Sequence, residues 1–223
     1  MLCIFFSFRI ASIKSFLENS SRPHVFVKDM GFSISEEEYV YIPEGYTHTF
    51  LIRHPLRVFA SYRKALYDTF SGFGLLPGVD EKAFDLDGEY PFIRSPGLMF
   101  MDLYKIWRYV SEKPGAVSVV IDSDDLLSNP AEILPKYCRA VGLPFSESLL
   151  KWDASTDVAN NWMLPADDLL DSLHIFYKRA LKSSEFVAPS PMPAQNQVTP
   201  DVIRSVERNI QCYNEMYKAR IKI

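Results

Sequence analysis

A chain of 223 residues, 48% of them hydrophobic and 14% aromatic, can bury a full core in one domain, and this composition excludes a disordered tract, a fibre or a disulfide scaffold. The formal net charge of -4 argues against a broad surface for nucleic acid or acidic membranes, so an anionic ligand has to be held by a local basic cluster. Cys3, Cys138 and Cys212 are widely spaced, with no CxxC pair and no His/Cys ligand spacing. They read as reduced thiols of a cytosolic protein, without a structural metal.

The apolar stretch Met1–Ile10 ends its uncharged run at Arg9, far short of a membrane span. Its positive charge follows the apolar run instead of preceding it, so a buried strand or helix start is expected rather than a signal peptide. Arg9–Asn19 carries Ile10, Ile13, Phe16 and Leu17 at helical spacing. Val25–Lys28 is a short β-prone run, and Thr47–Ile52 is a second one, closed by Arg53-His54-Pro55. Pro55 suits the first position of a helix running to about Phe70, with Val58, Tyr62, Ala65 and Leu66 on one face. Ser71–Arg94 holds four glycines and two prolines and reads as a long surface loop, of the kind that shapes a substrate pocket. Leu98–Glu112 is helical again, and Val117–Ile121 is a continuous apolar run suited to a central parallel strand. Asn129-Pro130-Ala131-Glu132 starts a further helix that Gly142 can end, with Pro135 marking a kink or a later start. Two more helices are expected at about Pro165–Lys182 and Pro200–Ala219, with a proline-rich extended connection at residues 187–198 between them.

Alternation of strand and helix followed by a helical tail predicts an α/β fold, a parallel sheet with helices on both faces. One domain spanning residues 1–223 is expected, with an atypical N-terminal segment over 1–24 and a C-terminal helix over 199–220. Ligands of such sheets bind at the carboxyl ends of the strands, so the residues just after Lys28, Ile52 and Ile121 matter most.

The segment Thr49-Phe50-Leu51-Ile52-Arg53-His54-Pro55-Leu56-Arg57-Val58-Phe59-Ala60-Ser61 places an arginine at a strand end, a proline opening a helix and a serine two turns in. The start of that helix is expected to offer unpaired N–H groups and a positive dipole end to a phosphate. Arg53 supplies a planar donor fork and Ser61 a neutral hydroxyl. From Gly45 to Tyr67 there is no acidic residue, while Arg53, Arg57, Arg63 and Lys64 are all present. Arg63 and Lys64 are expected as solvated helix charges, with Lys64 pairing to Asp68. His54 adjoins Arg53 and either contacts the ligand or makes a helix-entry contact.

Arg53, Pro55 and Ser61 resemble the 3′-phosphate site of P-loop sulfotransferases: an arginine at a strand end, then a proline, then a serine eight residues after the arginine. Asp122-Ser123-Asp124-Asp125-Leu126, followed by Asn129-Pro130 and Val141-Gly142-Leu143-Pro144, is similar to that family's second half. Trp162 and the stretch Tyr177–Phe186 are similar to the C-terminal part of one branch. The likeness implies a sulfotransferase fold and 3′-phosphoadenosine 5′-phosphosulfate as co-substrate, without a metal. It also implies a small-molecule acceptor, and Arg53, Ser61, His54 and Arg57 at the nucleotide.

Val25-Phe26-Val27-Lys28-Asp29-Met30 also resembles the family's strand with a Lys-Asp pair near the reaction centre. There Lys28 would supply positive charge and Asp29 would accept the acceptor's proton; a strand-end ion pair or a helix cap is the alternative. The family's tight loop rich in Gly, Ser or Thr has no clear counterpart, since no glycine occurs before Gly31 and Phe8 and Ile10 are too large for a close backbone wrap. A non-catalytic relative that keeps the fold is therefore the competing expectation. A P-loop kinase relative is disfavoured because no GxxxxGK[ST] segment exists.

Overall fold

The computed structural model describes residues 2–5, 10–90, 99–155, 177 and 179–223. Its strands all pair in parallel. β1 (Leu2–Phe5) runs beside β2 (Val25–Lys28) with Leu2 opposite Val25, and α1 (Ile10–Glu18) lies between them in the chain. A strand and a helix thus precede β2, where the sequence suggested little more than a helix and its lead-in. β3 (His48–Ile52) runs beside β4 (Ser118–Asp122), His48 opposite Ser118 and Ile52 opposite Asp122. The parallel strands form two separate two-stranded pairs, and Arg220 bridges to Val120 beside the second.

The helices around these strands are α2 (Pro55–Gly72), α3 (Met99–Ser111), α4 (Ser123–Ser128), α5 (Pro130–Ala140) and α6 (Pro200–Lys218). Successive strand residues point to opposite faces. In β4, Val120 joins the large core built on α2, α3 and α6, while Val119 and Ile121 pack with Ile133 of α5 in a smaller cluster. In β3, Phe50 and Ile52 face the large core, and Leu51 points away and is exposed. This is an α/β arrangement with helices on both faces of the β3–β4 pair.

The strand and helix boundaries expected from periodicity are met within two residues at most. α5 begins at Pro130 and carries Pro135 in its interior. It ends where Gly142, at φ +73°, lets Leu143 N–H reach Cys138 O at 2.8 Å, a Schellman-type closure. Most of the helix expected at Pro165–Lys182, with Trp162, lies outside the described residues, of which 177 and 179–181 are helical.

One expectation is overturned. Arg63 is not a solvated charge: it is buried, its Nε donates to Asp201 Oδ2 at 2.9 Å, and its Nη2 donates to Glu81 O at 2.8 Å and to Phe84 O. The described part of the expected surface loop, through residue 90, is mostly exposed, as expected, but three of its side chains anchor it in the core. Leu76, Phe84 and Leu86 are buried, and Leu86 N–H donates to Asp201 Oδ2 at 3.0 Å. A buried guanidinium has to be paired and hydrogen-bonded, and the loop's own carbonyls supply that partnership. Lys64, by contrast, pairs with Asp68 at 3.2 Å on the surface, as expected.

Candidate functional site

The register of β3 and β4 builds the site. Because Ile52 lies opposite Asp122, the two chains leave the sheet at one level, into Arg53-His54-Pro55 on one side and Ser123-Asp124 on the other. Arg53 Nε donates to Asp124 Oδ1 at 3.0 Å. Arg57, one turn into α2, brings its Nε within 2.7 Å of Asp124 Oδ2. That N–H is not aimed at the carboxylate, so the contact is an ion pair by distance while Nε, a buried atom, has no aligned hydrogen-bond acceptor. One carboxylate therefore gathers two guanidiniums and leaves the cluster with one net positive charge.

Asp124 is itself held. Asp122 caps α4, its Oδ1 accepting from Asp124 N–H at 2.9 Å and Asp125 N–H at 3.1 Å, while its Oδ2 accepts from Tyr213 Oη at 3.0 Å. Burial raises the Asp122 carboxyl above its ordinary pKa, and these hydrogen bonds oppose the rise. Burial likewise pushes the Tyr213 phenol up, and the adjacent Asp122 carboxylate pushes it further. Beside them Arg220 donates to Asp125 Oδ2 at 2.6 Å, with its guanidinium 3.5 Å from the Tyr217 ring centroid.

The start of α2 differs from expectation. Pro55 has no N–H, Leu56 N–H donates to His54 Nδ1 at 3.2 Å, and Arg57 and Val58 N–H both donate to His54 O at 3.0 and 3.2 Å. His54 is the helix cap, its ring edge-on to Tyr213 with centroids 5.3 Å apart, so the backbone presents no free row of donors there. Burial depresses the His54 pKa, with Asp124 opposing. Since Nδ1 accepts, the neutral ring carries its proton on Nε2. The donors left at this edge are thus arginine side chains rather than backbone N–H groups. Ser61 lies one helical turn beyond Arg57 on the same face of α2 and is exposed.

Lys28 ends β2 and donates its Nζ to Tyr177 Oη, with Nζ 5.1 Å from that ring's centroid and 3.8 Å from Met30 Sδ. Burial lowers the Lys28 pKa, with the neighbouring Asp29 charge opposing, and burial lifts Tyr177 to about 12. Asp29 Oδ1 accepts from Met30 N–H at 2.7 Å. The structure thus brings Arg53, Arg57 and His54 together around Asp124, and Lys28 onto Tyr177. Tyr177, Asp122, Asp124 and Tyr213 were not singled out from the sequence as site residues. The signal available for Asp124 was its place directly after an apolar strand, at the edge where ligands bind. A depression of about 550 Å³ between residues 42–48 and 110–117 lies at the amino ends of β3 and β4, opposite this edge.

The donor set fits a phosphate: the Arg53 side chain, 34% exposed, remains open to solvent beyond its contact with Asp124, and a second guanidinium stands beside it. Among the described residues no group of three or more His, Cys, Asp or Glu is placed to hold a metal, and no helix is long and apolar enough to cross a membrane.

The chain is thus an α/β domain with two arginines gathered at the carboxyl edge of its second pair of parallel strands. Residues 112–220, just under half of the chain, match the family model described as the sulfotransferase domain. The chain is 28% identical over 146 residues to branched-chain-amino-acid aminotransferase-like protein 2 of Arabidopsis thaliana, covering 66% of this chain and 20% of that protein. It therefore spans about a fifth of the length of the curated relative it matches. A solved sulfotransferase domain from the curacin biosynthetic pathway aligns with a TM-score of 0.48 and 13% identity, covering 89% of this chain and 66% of that one.

Proposed function

We propose that the chain transfers a sulfuryl group from 3′-phosphoadenosine 5′-phosphosulfate to a hydroxyl or amine of a small acceptor, as one domain over residues 1–223. In this reading Arg53 and Arg57 bind the 3′-phosphate, Ser61 adds a hydroxyl donor from the same face of α2, and His54 orders the helix entry beneath them. Lys28 lies by the sulfuryl group and Asp29 takes the acceptor's proton. The acceptor forms a bond to sulfur as the bond from sulfur to the nucleotide phosphate breaks, and the negative charge goes to the departing bisphosphate. Catalysis of that kind rests on positioning and positive charge rather than on covalent work by the protein. A Lys28 poised by burial and by the Tyr177 hydroxyl suits the part, because a desolvated ammonium acts strongly on a nearby developing charge.

The observation that carries the reading is the convergence of Arg53 and Arg57 at the carboxyl edge of β3. Adenosine 3′,5′-bisphosphate is expected to raise the melting temperature of the chain, and Arg53→Ala to abolish the rise. A wild-type melting temperature that ignores the nucleotide would remove the support for this function.

A second reading, a relative that keeps the fold without turnover, is favoured by Asp124 occupying Arg53 and by the capped start of α2. Transfer of labelled sulfate to phenol, alcohol or amine acceptors by this chain would end that second reading.

A further inference from the structure

Asp124 touches both arginines assigned to the phosphate, yet no step of the proposed chemistry uses it. Its contacts are to the Nε edge of each guanidinium; Arg57 Nη1 also donates to Pro191 O at 3.4 Å, and the remaining terminal nitrogens are the working ends of the two donor forks. Two guanidiniums at the start of one helix repel one another, and a carboxylate between them converts the repulsion into two attractions. The backbone that carries the carboxylate is held in place. The Asp124 N–H is fixed on Asp122, and Asp122 is fixed by the hydroxyl of Tyr213, a buried α6 residue packed against His54 and Phe100.

We infer that Asp124 is a positioning residue that sets Arg53 and Arg57 in the mutual orientation that recognises the 3′-phosphate of a nucleoside bisphosphate, and so sets the preference over the corresponding 5′-monophosphate. This rests on the assignment of Arg53 and Arg57 made under the proposed function. A merely competing carboxylate would act oppositely: its removal would raise the positive charge of the cluster and tighten anion binding. A preorganised fork loses affinity when its support is removed, because the side chains then have to be ordered by the ligand.

Calorimetric titration of the whole chain with adenosine 3′,5′-bisphosphate and with adenosine 5′-monophosphate separates these effects. The wild type is expected to prefer the bisphosphate, and Asp124→Asn to lose about tenfold of that preference while its monophosphate affinity holds, the order expected for lost preorganisation. Undiminished preference in Asp124→Asn, or tighter bisphosphate binding, overturns the inference and leaves the proposed function standing. A wild type that does not distinguish the two nucleotides overturns both. Should Asp124→Asn fail to fold, Tyr213→Phe decides. It keeps the ring and removes only the hydroxyl on Asp122, so a partial loss of preference supports the inference and a full preference overturns it.

Discussion

Arg63 and Lys64 are neighbours in the chain and end in opposite environments. Lys64 lies on the surface with Asp68 one turn away, while Arg63 stands in the buried stripe Leu56, Phe59, Arg63, Leu66, Phe70. Read from sequence, the apolar face runs through Val58, Tyr62, Ala65 and Leu66, of which only Leu66 is in the buried stripe, because an arginine counts as polar in any periodicity. The true stripe becomes visible only when Arg63 is allowed a buried partner, and that partner, Asp201, is 138 residues away. Burial pushes the Asp201 carboxyl up, but hydrogen bonds from Leu86 N–H and Arg63, together with the Arg63 charge, hold it below its ordinary value. A depressed folded pKa gives stability that is present above the unfolded value near 3.8 and is lost as pH falls through the folded one. Asp201→Asn should therefore cost about 3–5 kcal/mol at neutral pH, the usual price of breaking one side of a buried pair. It should also flatten the loss of stability below pH 3.8. Urea midpoints measured across acid pH check this, and an unchanged acid slope would contradict the pairing.

At the scale of elements, the strands and most helices were legible because each is a short apolar or periodic run closed by Pro or Gly. Register was not. Arg53 and Asp124 both lay in segments that stood out, but their contact follows from Ile52 pairing with Asp122, and nothing local in either segment encodes that pairing. The start of α2 was legible in part: a helix-entry contact was one of the two roles expected of His54, and its ring accepts from Leu56 N–H, whereas the anion-site reading assumed free N–H groups. Close approach between elements is equally silent in sequence. Gly31, in the 3₁₀ turn Gly31–Ser33, lies so near α3 that an added Cβ would stand 2.8 Å from Leu103 Cα and N. Gly142 has open space around it but a φ of +73°. Gly31→Ala has to move helix backbone and should cost about 1–3 kcal/mol. Gly142→Ala meets only left-handed strain, about 1 kcal/mol. Guanidinium denaturation of both variants tests the difference, and a Gly31→Ala protein as stable as wild type would mean that the turn does not pack there.

For the whole molecule, alternation of strands and helices implied the α/β class, and the structure divides the parallel strands into two pairs where the sequence suggested one sheet. Residues 73–90, which glycine and proline content marks as a surface loop, are mostly exposed, yet Leu76, Phe84 and Leu86 join the large core. Composition reports backbone freedom and is silent on which side chains of a loop are buried. Phe84 is the main anchor: it stacks on Tyr90 with centroids 5.3 Å apart, lies 5.8 Å from the Tyr67 ring, and sits beneath the Arg63 guanidinium at 5.6 Å. Its carbonyl also accepts from Arg63, so side chain and backbone of one residue both anchor the segment. Phe84→Ala should cost about 3–5 kcal/mol through the cavity left among these rings. The weakening should appear first in the segment itself, because the removed contacts are those that hold it down. Lys82 is exposed two residues away, so trypsin cutting after Lys82 reports how often the segment opens. Cleavage there should be slow in the wild type and much faster in Phe84→Ala under conditions where both remain folded by circular dichroism. Equal cutting rates would show that residues 73–90 open independently of the core, as a lid would.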